Sequence, residues 1–293
     1  MRLATIRTQH GTRAAALDGD RLVPLRFADV RAWLEAGAPD WTGNVDGAPV
    51  PRAQADFAPV VPTPGKVICV GLNYRDHILE MGRSLPEYPT LFAKFADALV
   101  GAHDDVVLPA GSGAVDWEGE LAVVVGRTVA HADGAEARDT IAGFAVANDV
   151  SARDFQRRTN EWLQGKTFDT TTPLGPYLVT ADETGTEPDL EITCSVDGVV
   201  KQQSRTGELV FGPVELVRYI SAITTLRPGD VILTGTPGGV GDGRDPKEYL
   251  RRDSVLTTSI ETLGQAQNLC VDRRTSPAAA ADSTDTRTTL HVH

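Results

Sequence analysis

A β-rich α+β fold is the class this chain predicts, on three observations. Between residues 66 and 270, short β-branched apolar runs alternate with Gly and Pro turns. Few stretches there carry helical periodicity. No regular strand-helix-strand rhythm recurs, which weighs against Rossmann and TIM-type sheets. The 293 residues, 41% hydrophobic and 23% charged, suffice for a sizeable core and give no sign of general disorder.

Residues 1–62 read as a small N-terminal α+β domain. Strands are expected at 2–7, 12–17 and 21–25, with Asp18-Gly19-Asp20 as a turn and a helix over 27–36. Val61-Pro62-Thr63-Pro64-Gly65 marks a boundary, because it neither propagates a helix nor joins a central strand. The main domain spans 66–270, with strands at 67–70, 121–125, 143–148, 190–196 and 231–234 and helices at 135–141 and 214–222. Residues 271–293 lack apolar periodicity and read as a disordered tail.

The formal net charge of -12, from 40 acids against 28 Lys and Arg, argues against a nucleic-acid partner. It does not exclude a small anionic substrate, since a metal and a few local cations can reverse the field inside a pocket. The polar start Met1-Arg2-Leu3-Ala4-Thr5-Ile6-Arg7 and the lack of a long apolar span predict no membrane partner and a cytoplasmic location. Cys69, Cys194 and Cys270 are too scattered for a disulfide framework or zinc site and read as reduced packing residues.

Asp116-Trp117-Glu118-Gly119-Glu120 leads into the apolar run Leu121-Ala122-Val123-Val124-Val125. Read as one strand, it turns Asp116, Glu118 and Glu120 to one face, where crowded carboxylates suit a hard divalent ion. The same pattern fits a solvated acidic strand edge. Asp149 ends the apolar run at 143–148, a rigid position for a metal ligand or for a turn cap. Helical spacing then puts Arg153 and Gln156 on one side, a cation and an amide suited to a substrate carboxylate.

His77 and Glu80 stand three apart after the strand at 67–70, so a carboxylate can orient an imidazole for work on water; a solvated surface pair is the alternative. Lys166, in Gly165-Lys166-Thr167-Phe168-Asp169, is a catalytic candidate or a surface lysine. Gly235-Thr236-Pro237-Gly238-Gly239-Val240-Gly241 lacks the Gly-Lys-Ser/Thr ending of a P-loop. It reads instead as a substrate-site loop whose Thr236 offers a hydroxyl or amide to an oxyanion.

Together, Gly71-Leu72-Asn73-Tyr74-Arg75-Asp76-His77, the 116–126 block, Asn148-Asp149-Val150-Ser151-Ala152-Arg153-Asp154, Lys166-Thr167-Phe168-Asp169, Pro173-Leu174-Gly175-Pro176 and the 228–237 block resemble the fumarylacetoacetate hydrolase family. The resemblance implies a mixed sheet rolled into a distorted barrel, as a homodimer. It also implies one Mg2+ or Mn2+ per subunit held by Glu118, Glu120 and Asp149, with Asp116 as a partner to the ligands rather than a ligand. His77 and Glu80 resemble the family's water-activating dyad, Lys166 supports catalysis, and Arg153, Gln156 and Thr236 match substrate contacts. The implied activity is metal-dependent hydrolysis of a C–C bond in a β-diketo acid, acylpyruvate or fumarylacetoacetate-like, through a metal-stabilised enolate. Decarboxylation or isomerisation of an oxaloacetate-like 2-oxo acid at the same site is the alternative, and non-catalytic metal or keto-acid binding is a third. Arg252-Asp253 and Glu261-Thr262 depart from the family's usual Gly-Asp and Glu-Gly, which bears on local turn geometry and not on the metal ligands.

Overall fold

The computed structural model describes residues 1–75, 78 and 84–272. His77 and Glu80 lie outside the described residues, as does the tail beyond Asp272. Strands run in chain order as β1 (Arg2–Thr8), β2 (Gly11–Asp18), β3 (Arg21–Pro24), β4 (Val50–Pro51), β5 (Val67–Gly71), β6 (Thr90–Lys94), β7 (Leu99–Val100), β8 (Val106–Leu108), β9 (Val115–Asp116) and β10 (Gly119–Val125). They continue as β11 (Ile141–Asn148), β12 (Ser151–Ala152), β13 (Thr172–Pro173), β14 (Leu178–Thr180), β15 (Glu191–Val196), β16 (Val199–Arg205), β17 (Val231–Leu233), β18 (Val255–Ile260) and β19 (Gly264–Asp272).

Ten strands form one mixed sheet in the order β4-β3-β2-β1-β14-β11-β10-β17-β5-β6, and five form a second, β16-β15-β18-β19-β8. The β-rich α+β class holds. The barrel is not closed: β4 and β6 are the outer strands of the large sheet. The β4 edge is two residues long and includes Pro51, which has no N–H to extend the ladder.

The large sheet is buried on both faces by residues of alternating parity. Leu121, Val123 and Val125 join Phe144 and Val146 in one core layer. Ala122 and Val124 join Ala145, Ala147, Val231 and Leu233 in the other. This is why the apolar run of β10 is buried along its whole length. Residues 1–62 share this sheet rather than standing apart: β1 pairs with β14 through Arg2↔Val179 and Leu3↔Leu178. Ile6, Ala15 and Leu22 also enter the same core layer as Leu121. At the other end, β19 runs to Asp272, two residues beyond the expected end of the main domain, because Val271 and Asp272 pair with Val107 and Leu108.

The three longest helices among the described residues start at a side-chain cap or a proline. Gly134–Thr140 starts at a capping box of Asp133 and Glu136. Pro213–Ser221 starts with Pro at N1 and buries Val214, Leu216, Val217 and Ile220 along one face. The N-terminal helix is shorter than expected, Val30–Glu35, because the Asp29 side chain caps it by accepting from the Ala32 N–H. All three cysteines are free and buried, as packing residues should be. No helix among the described residues is long and apolar enough to cross a membrane. Thr262, at the departure from Glu-Gly, takes φ +62°, a left-handed conformation that a β-branched residue adopts only with strain.

Candidate active site

Strand parity brings the acids together. Glu120 shares its face of β10 with Ala122 and Val124, and Asp149 follows β11 in phase with Ala145 and Ala147. The backbone locks this junction: the Asp149 N–H donates to Glu118 O at 2.8 Å, and the Glu118 N–H donates to the Asn148 side-chain oxygen at 3.0 Å. Carboxylate oxygens of Glu118, Glu120 and Asp149 lie within 4.8 Å of one another, all buried. The single alternating strand expected from Asp116 to Glu120 is corrected. Asp116 belongs to β9, paired with β12, and the chain leaves strand geometry at Trp117 and Glu118 before β10 begins. Asp116 therefore meets Arg153, at 2.8 Å, instead of the triad.

Two lysines serve this cluster. Lys166 Nζ donates to Glu118 Oε2 at 2.5 Å and to Asp149 Oδ2 at 2.8 Å. It reaches them because the short helix Leu163–Lys166 packs tightly on the neighbouring one; a Cβ on Gly165 would stand 2.5 Å from Ala152 O. Lys94, which sequence reasoning missed, ends β6 and donates to Asp149 Oδ1 at 2.5 Å and to Val150 O at 3.2 Å. Arg153 Nη2 meets Glu118 Oε1 at 2.6 Å, while its Nη1 donates to Gln156 Oε1 at 3.0 Å. The i,i+3 spacing of Arg153 and Gln156 is thus realised on the helix Arg153–Gln156.

Charge follows geometry. Burial would raise Asp149, but Lys166 and Lys94 hold its carboxyl below the ordinary range. Burial would lower Lys166, yet Asp149 and Glu118 more than reverse this and keep it an ammonium ion. Glu120 differs. Burial, with Asp149 and Glu118 close by, pushes it well above the usual carboxyl range. It accepts the Gly235 N–H at 2.8 Å, and no ion pair to it occurs among the described residues. Gly235 holds φ +102°, and a Cβ there would stand 2.9 Å from Asn73 Cβ, so glycine is what lets this amide reach the acid.

The cluster lies in a cavity of about 920 Å³. Phe92 and Trp162, in edge contact at 5.3 Å, line one wall, and the loop from Gly239 to Glu248 lines the other. Thr236 also lines it, but its hydroxyl donates to Gly119 O at 2.9 Å and accepts from Gln202 at 2.7 Å, so it would serve a substrate only by exchanging a bond. Asn73 ties the chain after β5 to the loop at Phe211 and to Thr234: its amide donates to Phe211 O and Thr234 O, and its oxygen accepts the Phe211 N–H. Of the expected site residues, Glu118, Glu120, Asp149, Arg153, Gln156, Lys166 and Thr236 come together here. The positions of His77 and Glu80 are not among those described.

The family model for the fumarylacetoacetate (FAA) hydrolase C-terminal domain matches residues 66–271. A human protein named oxaloacetate tautomerase FAHD2A, mitochondrial, is 47% identical over 224 residues, 76% of this chain and 71% of the relative. Among solved structures, a fumarylacetoacetate hydrolase from Exiguobacterium antarcticum superposes with a TM-score of 0.84 at 30% identity, covering 93% of this chain and 100% of that one. A 2-hydroxyhepta-2,4-diene-1,7-dioate isomerase from Mycobacterium marinum does so with a TM-score of 0.78 at 34% identity, covering 94% and 99%. This chain belongs to the fumarylacetoacetate hydrolase family.

Proposed function

We propose that this chain is a divalent-metal-dependent isomerase that moves a proton on a small 2-oxo acid of the oxaloacetate class. The observation that carries the reading is a positive charge set in advance. The Lys166 ammonium is buried between Glu118 and Asp149, beside Arg153, on the floor of an open cavity. The donor set fits Mg2+ or Mn2+, since it is all oxygen and includes Glu120, a buried carboxylate raised by its neighbours and without an ion pair among the described residues. An ion held by Glu118, Glu120 and Asp149 supplies a Lewis acid for the 2-oxo group.

The chain's own residues do the rest. Arg153 and Gln156 bind the substrate carboxylate. Lys166 holds a proton beside the oxygen that gains charge when the substrate enolises, and Lys94 keeps Asp149 ionised. On the sequence resemblance, the proton at the adjacent carbon would fall to His77, with Glu80 as its partner. The tautomerase and isomerase names of the two relatives support this order of preference. Hydrolysis of an acylpyruvate C–C bond is the second reading, favoured by the His77 and Glu80 pair, which would then take its proton from water.

The test is Mn2+-dependent keto-enol exchange in oxaloacetate beside cleavage of acetylpyruvate, for wild type and Glu118→Gln. Accelerated exchange that disappears with chelator and with Glu118→Gln supports the isomerase. Acetylpyruvate cleavage, with oxaloacetate exchanging at the uncatalysed rate, moves the assignment to the hydrolase. Silence on both with Mn2+ bound leaves a binding protein.

A further inference from the structure

Asp116 is wholly buried, and its carboxylate faces only donors. Oδ1 accepts the N–H groups of Trp117 at 2.8 Å and Gly241 at 2.7 Å. Oδ2 accepts the Asp242 N–H at 3.0 Å, Arg153 Nε at 2.9 Å and Arg153 Nη2 at 2.8 Å. Five donors and no acceptor require the ionised form. Gly241 and Asp242 belong to the loop that forms one wall of the cavity. That loop is seated closely: a Cβ on Gly241 would stand 1.9 Å from Glu248 O, 2.8 Å from Asp116 Oδ1 and 2.9 Å from the Trp117 ring. The Trp117 indole also donates to Gly239 O at 3.2 Å. Arg153 continues the chain of contacts, since the Nη2 held by Asp116 also meets Glu118.

We propose that Asp116 is a positioning residue that couples the 239–248 loop to Arg153 and, through Arg153, to Glu118, so that the cavity wall, the Arg153 guanidinium that binds substrate and a metal ligand share one arrangement. The inference rests on the reading of Arg153 as a substrate contact and Glu118 as a metal ligand. Asp116→Asn tests it with little change of volume. The amide oxygen still accepts from Trp117 and Gly241, but its NH2 then confronts the Asp242 N–H and the Arg153 guanidinium, all donors. Arg153 loses its second carboxylate and is left to Glu118, which competes with metal.

Gly241→Ala tests the same coupling without changing a charge or touching Arg153 or Glu118. The experiment measures Mn2+ affinity by electron paramagnetic resonance, and KM and kcat for oxaloacetate, on the full chain, with circular dichroism as the control for folding. Mn2+ affinity should fall about 10–100-fold in Asp116→Asn, with KM rising more than kcat falls. In Gly241→Ala it should fall in the same direction by about threefold or more. Should Asp116→Asn not fold, Gly241→Ala decides alone. Affinity lost in Asp116→Asn but kept in Gly241→Ala would make Asp116 a local ion-pair partner and overturn the coupling, as would wild-type Mn2+ affinity in both. Mn2+ data in the expected direction without turnover of any substrate would sink the functional assignment and leave the coupling standing. A wild type that binds no Mn2+ would overturn both.

Discussion

Replacing Glu120 with Gln should stabilise the chelator-treated protein while removing its response to metal. Glu120 is 2% exposed, and burial with two neighbouring acids raises its carboxyl far above the ordinary range. A carboxyl raised on folding costs stability at every pH above its unfolded value. Folded, it must either stay charged among acids or take up a proton that the unfolded chain does not hold. Gln removes that cost and fits the contacts: its oxygen can keep the Gly235 N–H, and its NH2 can donate toward Glu118 and Asp149. Removing a poorly compensated buried charge of this kind is worth about 1–4 kcal/mol. In a domain of this size each kcal/mol moves Tm by about 2–4 °C. The gain should appear near neutral pH and fade as pH falls through the ordinary glutamate range, where the unfolded chain is protonated too. Metal at 100 times its Kd adds about 2.7 kcal/mol to wild type, and Gln at this position should abolish most of that. Thermal melts with and without Mn2+ at two pH values give all four numbers. An unchanged or lower Tm in chelator, with the Mn2+ shift intact, would refute the electrostatic account of this site.

Three other expectations follow from single contacts. Gly71→Ala puts a Cβ 2.4 Å from the Trp162 ring, so overpacking of about 1–3 kcal/mol should displace the cavity wall, seen as a kcat/KM loss larger than any loss of Tm. Thr262→Gly relieves a left-handed threonine at φ +62° and should raise stability by about 1 kcal/mol in urea unfolding without touching activity; destabilisation would show the conformation to be unstrained. Because a proton competes for Glu120 with its raised carboxyl, the Mn2+ Kd should rise as pH falls from neutrality, and a flat profile would contradict that competition.

Local pattern carried much of this structure. The strands at β5, β10, β11, β15 and β17 lie where β-branched runs put them, and the capped helices start at their capping residues or N1 proline. Strand parity makes the faces of Glu120 and Asp149 legible, because it is a local property of two adjacent runs, whereas Glu118 lies off the strand and its place among the ligands comes from the family resemblance. Lys94 was not legible. A lysine closing the strand Thr90–Lys94 reads as a solvated edge charge, and only the pairing of β5 with β6 buries it against an acid 55 residues away. The only local hint was Phe92 in phase with it, which shares its strand face toward the cavity. The break at Trp117 was hidden for the same reason: β9 exists because β12 pairs with it, and that partner follows Asp149 in the chain. The engagement of the Thr236 hydroxyl was not legible either, because Gln202, its donor, sits on a strand of the second sheet.

Charge balance ties the site to the composition of the chain. Four buried carboxylates, Asp116, Glu118, Glu120 and Asp149, face three buried cations, Lys94, Arg153 and Lys166, among the described residues. Counted fully ionised, the cluster carries one excess negative charge, and Glu120, the acid without an ion pair among these residues, is the one that burial and its acidic neighbours push toward holding a proton. A divalent ion held there would turn that excess into a single net positive charge. In a cavity partly shielded from water, that reversal is felt far more strongly than the diffuse -12 of the surface, which salt screens within about 10 Å. If the proposed function holds, a bound dication would let this acidic protein receive an anionic keto acid. Under the proposed function, this balance predicts that metal binds before substrate. Trimming Lys94 to Met should then tighten Mn2+ binding and weaken substrate binding together, an opposed pair of shifts that a purely structural lysine would not produce.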